Sequence, residues 1–270
     1  MKKIGIIDYY ISEWHANKYY SLLDKASRDI GEEFKIAYAY GELDVSLYDG
    51  LTTAQWCEKY GVTPCATIDE LCELSDYIMI LAPSNPERHL DFARAALKHG
   101  KSTFIDKTFA PDLATAKEIY AIAEQYGTKI FSTSALRYAS EVCALEGVKN
   151  LITTGGGSNF DEYVIHQAEM AVKLLGCEFE DISVRKCGNQ RICSASFKGG
   201  KNLTMIYASA LSYSVCAELE DGTTVNCPIT SSFFDSLIAD VLRFYLEGTP
   251  SFPKEQTIAV ADLRERAIKA

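Results

Sequence analysis

The first half of the chain alternates short apolar segments with amphipathic ones, and this alternation is the strongest constraint on the fold. The apolar segments have the length of buried strands and comprise residues 3–8, 34–40, 76–82, 102–106 and 129–132. Between them, apolar residues recur at helical spacing, and Gly61, Gly100 and Gly127 stand where helices are predicted to end. Strands that alternate with helices in this way form a parallel, doubly wound sheet.

The pattern changes after about residue 133. A helix is predicted over 161–175, after the glycines 155–157, and strand-like segments follow it. Hairpin signals separate those segments, at Gly188-Asn189, Gly199-Gly200 and Asp221-Gly222. Further helices are predicted over 233–246 and 256–270. The predicted fold class is α/β, with an N-terminal Rossmann-type doubly wound parallel sheet over 1–133 and a C-terminal α+β domain of mainly antiparallel sheet, a meander, over 134–270.

Charge and composition exclude several classes of function. A formal net charge of −10 argues against nucleic acid or an anionic membrane surface as partner. No apolar run is long enough to span a bilayer, and the first one stops at Asp8, so it is read as a strand and not as a signal peptide. The nine cysteines form no C-x-x-C pair. We therefore expect a cytoplasmic protein with reduced thiols and no metal site.

Two stretches carry a family resemblance. The first runs from Asp76 to Tyr138, and its segments in order are Asp76-Tyr-Ile-Met-Ile-Leu-Ala-Pro83, His89, Gly100-Lys101, Asp106-Lys107 and Arg137-Tyr138. The second is Glu162-Tyr-Val-Ile-His166 followed by Leu174-Leu175-Gly176. In order and approximate spacing they resemble the glucose–fructose oxidoreductase, inositol dehydrogenase and MocA (Gfo/Idh/MocA) family. The resemblance implies a homo-oligomer, formed through the C-terminal sheet, that uses NAD or NADP to oxidise or reduce the CH–OH group of a sugar, inositol or related polyol.

The resemblance also implies roles for individual residues. Lys107 and His166 would be catalytic, with Glu162 orienting the imidazole. Arg137 and His89 would contact the substrate. The cofactor would lie along the first domain, and its implied contacts are Asp8, Tyr9, Tyr10, Ala82, Pro83, Ser84 and Asp106.

The residues themselves leave alternatives open. Lys107 follows a parallel strand, where open α/β sheets gather ligands, but it could equally be an exposed loop lysine. His166 shares a predicted helix face with Glu162, Glu169 and Lys173. That face either lines a site or is a solvated surface with salt bridges. Arg137 could hold a substrate oxygen or pair with an acid.

One segment departs from the family pattern. Where the family has G-x-G-x-x-G after the first strand, this chain has Asp8-Tyr-Tyr-Ile-Ser-Glu-Trp-His15. Glycines at that position let a helix N-terminus approach a pyrophosphate, whereas tyrosines crowd it and acids repel it. Asp8 could instead bind a hydroxylated or cationic ligand, or simply cap a turn. Glu42, after the second strand, favours NAD over NADP.

Two other functions are therefore compatible with the sequence. One is a non-catalytic sugar-binding or regulatory protein that kept the fold and lost the dinucleotide. The other is a lyase or isomerase that uses Lys107 and His166 without net redox chemistry. The segment 155–158, Gly-Gly-Gly-Ser, could replace the lost phosphate site, or it could be a plain loop.

Overall fold

Residues 1–270 are described by a computed structural model and form two compact units. Unit 1 comprises Met1–Ser132 and Phe234–Ser251, and unit 2 comprises Thr133–Phe233 and Phe252–Ala270. The boundary after Ser132 lies one residue from the predicted one. None of the helices is both long and apolar enough to cross a membrane.

Unit 1 contains the predicted doubly wound sheet, in which every strand pair is parallel. Its strands are β1 (Lys2–Asp8), β2 (Phe34–Gly41), β3 (Thr63–Pro64), β4 (Tyr77–Ile80), β5 (Thr103–Ile105) and β6 (Ile130–Phe131). Their order across the sheet is β3-β2-β1-β4-β5-β6. The strands β1, β4 and β5 are adjacent, so the residues that follow them come together at one edge of the sheet.

Helices of unit 1 begin and end largely where the sequence places their caps. They are α1 (Trp14–Asp29), α2 (Thr53–Tyr60), α3 (Ile68–Leu74), α4 (His89–Ala96) and α5 (Leu113–Tyr126). The Asp112 side chain accepts the N–H of Thr115 at the start of α5, and Gly127 adopts the left-handed conformation at its end. Single turns of 3₁₀-helix, Pro86–Arg88 and Leu97–His99, flank α4.

A late segment returns to unit 1, where the sequence prediction had placed it in the second domain. Helix α8 (Phe234–Glu247) belongs with the first sheet because its apolar face is buried there. The Tyr245 hydroxyl donates to the Ile78 carbonyl at 2.7 Å, and the Tyr245 ring stacks on Tyr77. At its start, Phe234 contacts Trp14 edge-to-face with ring centroids 5.2 Å apart. An amphipathic helix does not reveal by its own sequence which sheet covers it.

Unit 2 is built on a six-stranded sheet, β12-β11-β7-β10-β9-β8. Its strands are β7 (Val148–Gly155), β8 (Phe179–Cys187), β9 (Gln190–Phe197), β10 (Lys201–Tyr207), β11 (Ser214–Leu219) and β12 (Thr224–Pro228). The three predicted hairpins are present, but the sheet is not a simple meander. Strand β7, which the sequence analysis missed, lies between β11 and β10 and runs parallel to β10.

One face of this second sheet is covered and the other is open. Beside the short α6 (Ser140–Cys143), unit 2 has two long helices, α7 (Phe160–Leu175) and α9 (Lys254–Lys269), whose buried faces form the core with the sheet. The opposite face has an apolar centre formed by Ile152, Ile192, Ile206 and Cys216, which strand register places on one side. Ile152 and Ile192 are about two-fifths exposed, at 41% and 37%.

The glycine run that follows β7 is a tightly packed connection. A Cβ on Gly156 would lie 2.5–2.7 Å from three backbone carbonyl oxygens, and one on Gly157 would overlap the Tyr163 ring. The carbonyls of these two glycines accept hydrogen bonds from the hydroxyls of Tyr213 and Tyr207. The glycines are therefore explained by close packing, which favours the reading as a structural connection over that as an anion site.

Candidate functional site

Asp8 ends β1 and is almost fully buried, with 1% of its surface exposed. Its Oδ1 accepts the backbone N–H of Tyr9 at 2.7 Å and of Ala82 at 3.0 Å, which ties the end of β1 to the segment after β4. Its Oδ2 is buried without a hydrogen-bond partner. Burial, followed by the nearby Glu13 carboxylate, raises the pKa of Asp8 well above its usual value.

The start of α1 is capped by a carboxylate of the chain itself. Glu13 accepts the N–H of His15 at 2.6 Å and the N–H of Ala16. These are the donors that a helix N-terminus offers to a phosphate. Glu13 is buried, and burial raises the pKa of its carboxyl.

This geometry does not fit the diphosphate of a dinucleotide at the start of α1. The donors are already used by Glu13, and a phosphate there would meet the carboxyls of Glu13 and Asp8. The cavity between this loop and the segment 82–85 measures about 20 Å³, room for about one atom the size of a water molecule. Among its lining residues are Asp8, Tyr10, Glu13, Ala82, Pro83 and Ser84.

A buried hydrogen-bond network follows β5. Asp106 Oδ2 lies 2.5 Å from His15 Nδ1, and Asp106 Oδ1 accepts the Tyr19 hydroxyl at 3.0 Å and the Lys107 N–H at 2.8 Å. Burial alone would raise the pKa of Asp106, but His15 and Lys107 outweigh it and hold that pKa below its usual value. Asp106 is therefore an ionised, firmly held group.

Lys107 is buried in the loop that follows β5, with 8% of its surface exposed. Its ammonium donates to the Pro83 carbonyl at 3.3 Å, which places it beside the segment after β4. The Lys107–Thr108 peptide bond is cis. The alternative of an exposed loop lysine is excluded. An ammonium carries three N–H donors, so a lysine held by one carbonyl can also donate to a ligand oxygen.

His89 and Glu42 are engaged elsewhere in unit 1. Both ring nitrogens of the fully buried His89 lie at backbone carbonyl oxygens, those of Phe109 at 3.0 Å and Leu81 at 2.5 Å. Burial lowers the pKa of His89. We therefore assign His89 to holding the strand-end segments together, not to substrate. Glu42 accepts two hydrogen bonds from Arg88, at 2.8 and 2.5 Å.

In unit 2, Arg137 is enclosed by partners. Its Nε donates to Glu169 Oε1 at 2.6 Å, its Nη1 donates to Gln256 at 2.7 Å, and its guanidinium lies 3.8 Å from the centre of the Phe252 ring. Glu169 also accepts the Thr133 hydroxyl at 3.1 Å. Arg137 therefore pairs with an acid, while its Nη2 is buried without a hydrogen-bond partner, so a contact with a substrate oxygen stays a prediction. The face of α7 that includes Glu169 is not a solvated one.

His166 lies on α7, half-buried between aromatic rings. Its Nδ1 lies 2.7 Å from the Ser134 hydroxyl, and the rings of Tyr163 and Tyr213 approach it edge-on. Glu162, expected to orient this histidine, accepts at 3.2 Å from Asn159, whose side chain caps the start of α7. Ser134 is therefore a positioning residue for the imidazole that the sequence analysis missed.

Several other side chains of unit 1 gain a role only in the structure. The sequence pattern identified Glu13 only as an acid that repels a phosphate, and it gave His15 and Tyr19 no role. The spacing of His15 and Tyr19 by four residues places both on one helix face, and that is the signal that could have found the network. No three His, Cys, Asp or Glu side chains are grouped so as to hold a metal ion.

Comparisons with known proteins agree with this architecture. Residues 4–134 match the family model described as "Oxidoreductase family, NAD-binding Rossmann fold". An uncharacterized oxidoreductase of Escherichia coli, YhhX, is 29% identical over 102 residues, which cover 36% of this chain and 29% of that protein. The match therefore spans less than a third of that relative.

Solved structures extend the similarity of fold to the whole chain. An oxidoreductase from Agrobacterium radiobacter, in complex with NAD+, L-tartaric acid and magnesium, superposes with a TM-score of 0.78 at 12% identity, covering 99% of this chain and 95% of that one. UDP-N-acetylglucosamine 3-dehydrogenase from Acidithiobacillus ferrooxidans gives 0.76 at 12% identity, with the same two coverages. Over residues 4–134, therefore, the chain is similar to the Gfo/Idh/MocA oxidoreductase family, and the rest of the chain shares the fold of solved dehydrogenases.

Proposed function

We propose that this protein is an oxidoreductase acting on the CH–OH group of a sugar, inositol or related polyol. The observation that carries the proposal is the buried Lys107 ammonium at the carboxyl edge of the parallel sheet, next to the ionised Asp106. A lysine at this edge can donate a hydrogen bond to the substrate oxygen as negative charge develops there. The dehydrogenase from Acidithiobacillus ferrooxidans, whose name includes a sugar nucleotide, supports the substrate class.

His166 is the proposed acceptor of the hydroxyl proton. An imidazole can take and return a proton near neutral pH, and the Ser134 hydroxyl at 2.7 Å from Nδ1 restrains its ring. Ser134 is therefore a proposed orienting group for the imidazole. Glu162, one turn earlier on α7, stays the second proposed orienting group.

The cofactor class of the proposal is a nicotinamide nucleotide, as the family resemblance implies, with NAD ahead of NADP because Glu42 follows the second strand. When bound, it would accept the hydride that leaves the substrate carbon. Because the start of α1 does not fit a diphosphate, the proposal gives the cofactor no contact there, and Ala82, Pro83, Ser84 and Asp106 remain its proposed neighbours.

A second candidate is favoured by one observation, the Glu13 carboxylate on the N–H groups of His15 and Ala16. A chain that closes its own anion site in this way could have kept a polyol site while losing the dinucleotide. It would then be a sugar-binding or regulatory protein.

The test combines binding and turnover. The protein is incubated with NAD+ or NADP+ and a panel of sugars and inositols, and nicotinamide reduction is followed by absorbance. Lys107→Met should lower kcat/KM by about 100- to 1000-fold, as the loss of one charge-stabilising donor does. The matched control is Lys101→Met, at the opposite end of β5.

The outcomes separate the two candidates. Calorimetry that finds no binding of either nucleotide at millimolar concentration, while a polyol still raises the melting temperature, excludes the oxidoreductase and favours the binding protein. An equal loss of kcat/KM in Lys107→Met and Lys101→Met would contradict the role proposed for Lys107.

The open face of the second sheet is the proposed homo-oligomer interface. Its apolar centre, which includes Ile152 and Ile206, is the kind of surface that association buries. Ile152→Lys should therefore lower the mass measured by light scattering. Leu211→Lys, an exposed apolar residue outside the strands, is the control. An unchanged mass in Ile152→Lys would exclude this face.

A further inference from the structure

The small cavity at the carboxyl edge of β1 has an unusual chemical character. It is lined by Asp8 and Glu13, with Tyr10 and the residues 82–85 around them. Two carboxyls on one water-sized cavity favour a ligand that donates hydrogen bonds. This is the opposite of the anion site that a helix N-terminus normally forms.

The Asp8 Oδ2 is the atom that lacks a partner. Asp8 is fixed by two backbone N–H groups at Oδ1, so the second oxygen cannot turn away without breaking those bonds. Buried polar atoms are almost always hydrogen-bonded, and an orphaned one requires an explanation. A donor group in the cavity would provide the missing partner.

The charge of the two carboxyls decides which class of ligand fits the cavity. Phosphate is disfavoured because Glu13 already occupies two N–H groups of α1 and is itself negative. Burial raises the pKa of both carboxyls, which favours their neutral form more than in water. A hydroxyl can donate to a carboxylate or accept from a carboxylic acid, whereas an ammonium can only donate. The site therefore matches a hydroxyl better than a cation.

We propose that this cavity binds one hydroxyl group of an uncharged ligand, which donates to Asp8 Oδ2. The hydroxyl can come from a free polyol or from the ribose of a nucleoside, and the volume of about 20 Å³ admits one such group. This inference stands apart from the proposed redox function, since it concerns binding at a place where the family fold would otherwise hold a diphosphate.

Isothermal titration calorimetry with four groups of ligands tests the proposal. Myo-inositol and glucose are the polyol arm, adenosine and nicotinamide riboside the nucleoside arm, pyrophosphate and ADP the anion arm, and ethylamine the cation arm. We expect binding in the polyol or the nucleoside arm, and the arm that binds identifies the source. Asp8→Asn should weaken that binding about tenfold, the loss of one buried hydrogen bond. Asp181→Asn, an exposed acid in unit 2, should leave it unchanged.

A measurement on the unaltered protein covers the case in which Asp8→Asn fails to fold. The amide N–H groups of Tyr9 and Ala82 both donate to Asp8 and report on it in a ¹⁵N NMR spectrum. A hydroxyl ligand at Asp8 should shift both resonances on titration.

Three results would overturn the inference. They are binding confined to the anion or cation arm, no binding in the polyol and nucleoside arms, and binding that leaves the amides of Tyr9 and Ala82 unshifted. All three are independent of turnover, so failure of the redox proposal would not produce them.

Discussion

Each unit contains a buried carboxylate held by a nitrogen group at nearly the same distance, and the two pairs differ in what surrounds them. His15 and Asp106 in unit 1 are 2.5 Å apart, and Arg137 and Glu169 in unit 2 are 2.6 Å apart. The Arg137 guanidinium is enclosed by Phe252 and Gln256. Asp106, in contrast, directly follows β5 at the carboxyl edge of a parallel sheet and accepts the N–H of Lys107. Open parallel sheets bind ligands at that edge, so we propose a functional role for this pair and a structural one for the pair in unit 2.

The largest effect is expected from breaking the enclosed pair. Arg137→Met leaves Glu169 buried without its cation, and the free energy of unfolding should fall by about 3–5 kcal/mol. Urea denaturation measures it. The double variant Arg137→Met/Glu169→Leu should recover much of the loss, because no buried charge is left unpaired. If the single variant is as stable as the wild type, the pair contributes nothing.

Asp106→Asn should have a smaller effect on stability and a distinct effect on function. It removes the negative charge between His15 and Lys107, at a cost of about 2 kcal/mol for a buried hydrogen bond to a charged group. Ligand binding or turnover measured per folded molecule should also fall, whereas Arg137→Met should leave it close to the wild-type level. Identical functional losses in the two variants would erase the proposed difference between the pairs.

The acids of unit 1 should respond to pH with opposite signs. The pKa of Asp8 is raised in the folded state, so the stability that its protonation contributes is full below pH ~4 and is lost as pH rises through the raised value. The pKa of Asp106 is lowered, so its contribution is present above pH ~4 and is lost on acidification. Each proton changes the free energy of unfolding by at most about 1.4 kcal/mol per pH unit. Asp8→Asn should reduce the fall in melting temperature that occurs as the pH rises above ~4. An unchanged dependence of melting temperature on pH would contradict the raised pKa of Asp8.

The smallest expected change concerns the cap of α1. Glu13→Ala removes the side-chain acceptor from the N–H groups of His15 and Ala16 and should cost about 1 kcal/mol of stability. It also frees two donors and removes one negative charge, so pyrophosphate binding should appear by calorimetry. Pyrophosphate that binds the wild type and Ala variants equally would show that Glu13 does not block an anion site.

Local signals in the sequence predicted much of this structure. Asp112 and Gly127 marked the ends of α5, and the three hairpin turns of unit 2 were found from paired turn residues. Strand β7 was missed because pairing on both sides, with β10 and β11, makes it a central strand. Those partners are about 50 or more residues away in the chain, so no local pattern shows them.

The site residues also fall into two groups: those that local sequence signals predicted and those whose partners are distant in the chain. The position of Lys107 after a buried strand predicted that it lies at the carboxyl edge of the parallel sheet, because strand direction follows from the alternating pattern. The partner of Arg137 could not be assigned, since Glu169 was one of several acids within reach of an unplaced guanidinium. Helical spacing could suggest only Glu162 as a neighbour of His166, because Ser134, which also contacts the imidazole, comes from a separate segment.

The amino-acid sequence by itself determined the fold class, the family resemblance of the first half and the replacement of the phosphate-binding glycines by acids and tyrosines, because periodicity, turn chemistry and residue order are local properties of the chain. Only the tertiary structure decided that Glu13 occupies the N–H groups of α1, that Asp8 retains an unpartnered oxygen and that α8 belongs with the first sheet. Those facts depend on which groups meet after folding and which are shielded from water, and burial alters charge and hydrogen bonding far more than neighbours in sequence do.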